Sequence, residues 1–265
     1  MGNSGKSDRS SKRNEPTADQ IVAEAQRRVE GRLGELDRDG THSQPSSFAR
    51  RVTDGVDRLV FWLTNHWLSV LNSLAFLYVG FPVLAPVLMK IGFERAGRII
   101  HTIYGPLCHQ LPYRSWYLFG AQLSYTQAEL SQLVGDVGLI PHGYVGDPWM
   151  GYKVALCQRD IAIYGAIFLT GLFYALTRRR MRPMPFWAYI TFGVLPMALD
   201  GGLQFLSYLI PVLLPSLTVP PLESNPIRRT ITGVLFGLST VWLAYPYVAE
   251  AFAETRETLE RRIDR

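Results

Sequence analysis

The chain has 265 residues, of which 48% are hydrophobic, 12% aromatic and only 18% charged, with a formal charge of +5. A soluble domain carries about 25% charged residues. The shortfall here is uneven: the first 65 residues hold 11 Lys/Arg and 10 Asp/Glu, leaving 28 charges for the other 200. With only two cysteines, this excludes a plain soluble enzyme, a collagen-like or wholly disordered chain, and a disulfide-dense secreted module.

Met1–Pro16 is rich in Ser, Gly and charge and is predicted to be a disordered tail. Residues 17–65 read as cytoplasmic amphipathic helices. Thr17 and Gln20 have capping-box spacing, and Ile21, Ala25, Val29 and Leu33 recur every fourth residue. A second run, Phe48–Leu63, puts Phe48, Val52, Val56, Leu59, Val60 and Leu63 on one side. It is expected to lie on the inner membrane surface before turning into the first span; a partner-binding helix is the other reading.

Residues 66–250 are predicted to be a membrane domain of four spans, at about 66–89, 154–177, 185–210 and 230–249, followed by a cytoplasmic tail, 251–265. Between His66 and Lys90 lie 23 residues without a charge, more than the ~20 that cross the hydrocarbon core. Pro82 and Pro86 should kink or finish this span. The expected fold class is an all-α integral membrane protein with an amphipathic N-terminal region and an ordered outer loop. In that loop Thr126 and Glu129 have capping-box spacing and predict a short helix near Thr126–Val134. With the N-terminus inside, 19 of the 27 Lys/Arg fall on cytoplasmic segments, and the sharpest cluster is RRRMR at Arg178–Arg182. This predicts the plasma (inner) membrane with both termini cytoplasmic. The lipid bilayer is then the partner that the positive charge serves, and nucleic acid is not.

Cys108 and Cys157 both fall on the outer side of this topology. Cys108 stands beside His109, and Cys157 shares a helix face with Asp160. A Cys-His pair with a Cys-x-x-Asp could make a four-ligand site, Cys108, His109, Cys157 and Asp160, for zinc or another transition-metal ion. A Cys108–Cys157 disulfide and a pair of free thiols are the alternatives. His101 and His142 are weaker candidates for a fourth ligand. Asp200 lies inside the third span, where an ionisable group costs about 2.5–3.5 kcal/mol and calls for a partner or a wet cavity. Gln204, Ser207 and Tyr208 continue one polar stripe from it. Arg228 and Arg229 enter the fourth span from the same side, so Asp200–Arg228 and Asp160–Arg229 pairs are feasible. Gly233 and Gly237 form a GxxxG pair expected to pack helices within the chain.

Four ordered blocks carry a resemblance: CHQLPYRS at Cys108–Ser115, CQRDIAIY at Cys157–Tyr164, PMALDGGLQ at Pro196–Gln204 and ESNPIRRTITG at Glu223–Gly233. From about Tyr104 to Gly237 the chain resembles an uncharacterised group of bacterial and archaeal membrane proteins, domain-of-unknown-function family 2085. The resemblance implies one shared site built from Cys108, His109, Arg114, Cys157, Arg159 and Tyr164, with Asp200, Gln204, Glu223, Asn225 and Arg228 or Arg229. It implies no activity. Where the family pattern has Cys-x-Arg-Cys this chain has Asp160 as the last residue, which weighs against an all-thiolate metal site or a Cys-x-x-Cys redox pair. Tyr125–Lys153 reads as an insertion.

The expected function is a polar Cys/His/Asp/Arg cluster on the extracytoplasmic side that binds a metal ion or a small polar ligand, with Arg159, Asp200, Gln204, Asn225 and Arg228 on the ligand. The alternatives are an accessory subunit of a larger membrane complex, locked by a Cys108–Cys157 disulfide, and a membrane thiol–disulfide oxidoreductase.

Overall fold

The computed structural model describes residues 23–25, 27–31, 47–135, 143–177, 180–217, 220 and 222–263. Met1–Pro16, the Thr17–Gln20 box, Ile21, Leu33, His142, Arg178 and Arg179 lie outside these residues. The chain divides into two units, Met1–Arg58 and Leu59–Arg265. In the first, 23–25 and 27–31 are helical and exposed, with an Arg28–Glu24 pair at 3.3 Å that is too wet to add much stability.

Helix α1 (Ser47–Lys90) is continuous. The expected turn between a surface helix and the first span is therefore absent. No proline interrupts Ser47–Phe81, and Gly55, the glycine nearest the expected turn, sits within the helix. Phe48, Val52, Val56 and Leu59 are exposed along it. Pro82 and Pro86 lie inside the helix and do not end it. Pro82 has no N–H for the carbonyl of Tyr78, and the Tyr104 hydroxyl donates to that oxygen at 3.1 Å. The helix stops in a Schellman turn: Phe93 N–H reaches Leu88 O at 2.8 Å, Gly92 N–H reaches Met89 O at 3.2 Å, and Gly92 has φ +94°.

Helix α2 (Glu94–Tyr104) folds back over that end, so closely that a Cβ on Gly97 would stand 2.3 Å from Met89 Cγ. After it come a 3-10 turn, Pro112–Arg114, strand β1 (Ser115–Leu118) and helix α3 (Gln127–Val134) with the expected Thr126/Glu129 capping box. Strands β2 (Gly146–Asp147) and β3 (Gly151–Cys157) complete a three-stranded antiparallel sheet, ordered β1-β3-β2. Ser115 pairs with Cys157, and Tyr117 with Lys153. The Asp147 carboxylate closes the β2–β3 turn by accepting from the N–H groups of Trp149 and Met150, both at 2.8 Å.

The second span begins later than expected, because Val154–Cys157 is strand; helix α4 runs Gln158–Leu176. Helix α5 (Phe186–Leu213) is interrupted by π turns at Tyr189–Val194 and Ala198–Gly202, on either side of Pro196, where the missing N–H breaks the regular ladder. Helix α6 (Pro226–Ile263) starts with Pro at its first position. Among the described residues, four helices are long and apolar enough to cross a membrane. Gly233 and Gly237 do pack α6 on α4 within the chain: added Cβ atoms would stand 2.8 Å from Ala162 Cβ and 2.3 Å from Ile163 O.

Candidate functional site

The site forms where the C-terminal part of α5, the N-termini of α4 and α6, and the segment from Cys108 to β1 meet. Cys157 ends β3 and caps α4, its sulfur accepting from Asp160 N–H at 3.4 Å. One turn of helix thereby aims the Cys157 thiol and the Asp160 carboxylate at the same point. Cys108 arrives from the segment after α2. The Cys108 and Cys157 sulfurs and an Asp160 oxygen all lie within 4.8 Å of one another. Both cysteines are free. The hydrogen bond from the Cys157 thiol holds the Cys108 pKa below its usual value, and giving that bond, together with burial, pushes Cys157 well above it.

These groups line a cavity of about 300 Å³ that Arg114, Arg159 and Arg229 also line. His109 lines the same cavity but stands outside the converging trio, so the four-ligand set expected from the sequence comes together as three. His101 does not join it either. Its ring is buried, with Nδ1 2.9 Å from Gln110 Oε1 and Nε2 3.2 Å from the Lys153 carbonyl.

Asp200 sits in the second π turn of α5 and is 7% exposed. It meets Arg159 at 2.6 Å and Arg228 at 3.7 Å, and the Ser224 hydroxyl donates to both of its oxygens, at 2.7 and 2.9 Å. The Asp200–Arg228 pair is thus present, secondary to Arg159. The expected Asp160–Arg229 pair is not: Arg229 goes to Glu223 at 2.7 Å and to Gln158 Oε1 at 3.2 Å. Glu223 also takes Arg114 at 2.6 Å, Gln204 Nε2 at 2.8 Å and the Tyr208 hydroxyl. The polar stripe of α5 therefore faces the loop before α6, and Ser207 adds to it by accepting from Leu222 N–H at 2.9 Å. Asn225 does not reach the cavity; its side chain caps α6, accepting from Arg228 N–H at 2.8 Å. The Arg228 side chain is 67% exposed against 4% for Arg229, so Arg229 is the deep member of the two.

Two residues were missed in the sequence. Lys153 is 1% exposed and donates to Gln110 O at 2.6 Å; burial lowers its pKa to about 8. A single lysine inside the otherwise apolar GYKVALC was the available signal. Gln110 is held at φ +50°, a costly conformation for this residue type. Its carbonyl takes the Lys153 ammonium, and its amide donates to His101 O at 2.7 Å. That strained residue lies two positions after Cys108.

The family described as predicted membrane protein (DUF2085) matches residues 149–243, from the turn before β3 into α6. An uncharacterised protein of Methanocaldococcus jannaschii is 22% identical over 194 residues, which make up 71% of this chain and 96% of that one. No solved structure matches. The chain is a membrane protein, and the family resemblance carried by its Cys-Gln-Arg, Asp-Gly-Gly and Glu-Ser-Asn blocks is borne out.

Proposed function

We propose that this is a plasma-membrane protein whose Cys108, Cys157 and Asp160 hold a transition-metal ion, zinc foremost, at the extracytoplasmic end of its spans. The observation that carries this is the convergence of three donor atoms within 4.8 Å on the wall of a polar cavity. Bonds of about 2.3 Å to zinc put two sulfur ligands of one ion roughly 3.8 Å apart, so the trio need draw in by little. Two sulfurs and a carboxylate suit a borderline ion, and a fourth position open to the cavity is the arrangement of a site that exchanges ligands. His109 on the rim is the protein group that could close it. Asp200, with Arg159, Arg228 and Gln204, then holds the surrounding charge in register.

Metal content, measured by mass spectrometry on the detergent-purified full chain, tests this directly. Near-stoichiometric zinc, iron or copper in the wild type, lost in Cys157→Ala, is the expected result. No metal in protein prepared without chelator would overturn it. The same closeness of the two sulfurs favours one other reading, a Cys108–Cys157 disulfide locking an accessory subunit of a membrane complex. In that case the intact mass under non-reducing conditions is lower by two hydrogens, and partners co-purify in mild detergent.

A further inference from the structure

The cavity beside the thiols carries more positive charge than its ion pairs consume. Arg114 and Arg229 share the single carboxylate of Glu223, while Arg159 and Arg228 share that of Asp200. Arg228 stands outside the cavity, and the three guanidiniums that line it exceed those two carboxylates by one. The remaining acid in the wall, Asp160, has no ion pair among the described residues and stands with the thiols.

Two donors await an acceptor. Arg114 Nε and Arg159 Nε are buried without a hydrogen-bond partner, although each guanidinium already gives an Nη2 bond to its carboxylate. Leaving such donors unmet is costly, and an arginine fork is shaped for the oxygens of a phosphate or carboxylate. Room for Arg159 is built into α5: a Cβ at Gly201 would lie 2.7 Å from its Nη1, so the guanidinium crosses bare backbone. The N-terminus of α4 opens on the same cavity and adds its positive end.

We infer that this cavity binds a phosphate group between Arg114, Arg159 and Arg229, next to the Cys108–Cys157–Asp160 trio. Three guanidiniums lining one cavity suit a tetrahedral phosphate, which offers an oxygen to each, better than a carboxylate with two oxygens. A volume of about 300 Å³ holds the phosphoryl group and a few further atoms. The ligand is thus a small phosphomonoester or the headgroup of a lipid such as phosphatidic acid. The inference rests on this cavity being the ligand site and not on the presence of a metal.

The test uses the full chain in detergent, stripped with chelator, and follows radiolabelled inorganic phosphate by equilibrium dialysis. Wild type is set beside Arg114→Lys and Arg159→Lys, each of which keeps a cation for its carboxylate and gives up the free Nε edge. Saturable, salt-sensitive binding by the wild type, weakened at least tenfold in either variant, is expected. Gly201→Ala keeps every charge and displaces the Arg159 head, so it should weaken binding to the same degree if a lysine variant fails to fold. No saturable binding by the wild type, or undiminished binding in the variants, overturns the inference. Competition separates the two sources. Displacement by glycerol phosphate supports a soluble ligand, displacement by short-chain phosphatidic acid alone supports a lipid headgroup, and displacement by neither overturns the assignment of a phosphomonoester ligand. Cys157→Ala that loses metal yet still binds phosphate would keep this result independent of the metal reading.

Discussion

His101 shows how one buried side chain ties the site to pH. Burial drives its pKa from the usual 6.5 to about 4, against the pull of its bonds to Gln110 and to the Lys153 carbonyl, with Arg98 and the Lys153 ammonium adding repulsion. Between those two values the unfolded chain takes up a proton that the folded chain refuses, so stability falls as pH drops from about 6.5 towards 4 and is level just above that window. Lys153 acts in the same sense at higher pH. Its pKa falls from 10.5 to about 8, so stability rises as pH climbs through that interval and the buried ammonium is neutralised. The thermal midpoint of the detergent-solubilised protein should follow both slopes, and His101→Gln should flatten the acid one. An acid limb unchanged by that substitution would assign the lability to other groups. The residue scale is also where the sequence was hardest to read. Cys157 and Asp160 share a helix face by simple spacing, whereas Lys153 reaches Gln110 only through a strand pairing across 43 positions.

At the scale of elements, the membrane helices were legible because uncharged runs of this length have few other fates. The capped helix α3 was legible for a local reason as well, two side chains three residues apart. The small sheet was not. Its strands are 4, 2 and 7 residues long, and β3, buried along six of its seven positions, lacks the alternation that marks a half-exposed strand. It merged into the apolar run of the second span. The fate of Pro82 was equally out of reach, since the tyrosine that answers the freed carbonyl belongs to another helix. That contact can be tested. Tyr104→Phe should lower stability by about 1–3 kcal/mol, the cost of an unmet buried carbonyl. Combined with Pro82→Ala, which restores an N–H to α1, the same change should cost clearly less. Equal losses in both backgrounds would show that the hydroxyl serves Leu77 O, 3.4 Å away, or only packs.

For the molecule as a whole, the site's position among the spans meets the distribution of basic residues. The end of α1, the starts of α4 and α6 and the C-terminal part of α5 bring Cys108, Cys157, Asp200 and Arg229 together. The connection from α4 to α5, with Arg180 and Arg182, leaves the opposite ends of those helices, and Arg182 O is held there by Trp242 Nε1 at 3.1 Å. Arg256 and Arg261 follow at the far end of α6. Lys and Arg are retained on the cytoplasmic side of short loops, so these arginines should face the cytoplasm and the thiols the outside. A green fluorescent protein joined after Arg265 should then fluoresce, and alkaline phosphatase joined at the same point should stay inactive. Replacing Arg178, Arg179, Arg180 and Arg182 with asparagine should raise the phosphatase signal by removing the sharpest retention element of the chain. An active phosphatase fusion on the unaltered protein would place the thiols in the reducing cytoplasm. The disulfide reading would then fall, while the trio of Cys108, Cys157 and Asp160 would still be free to hold its ion.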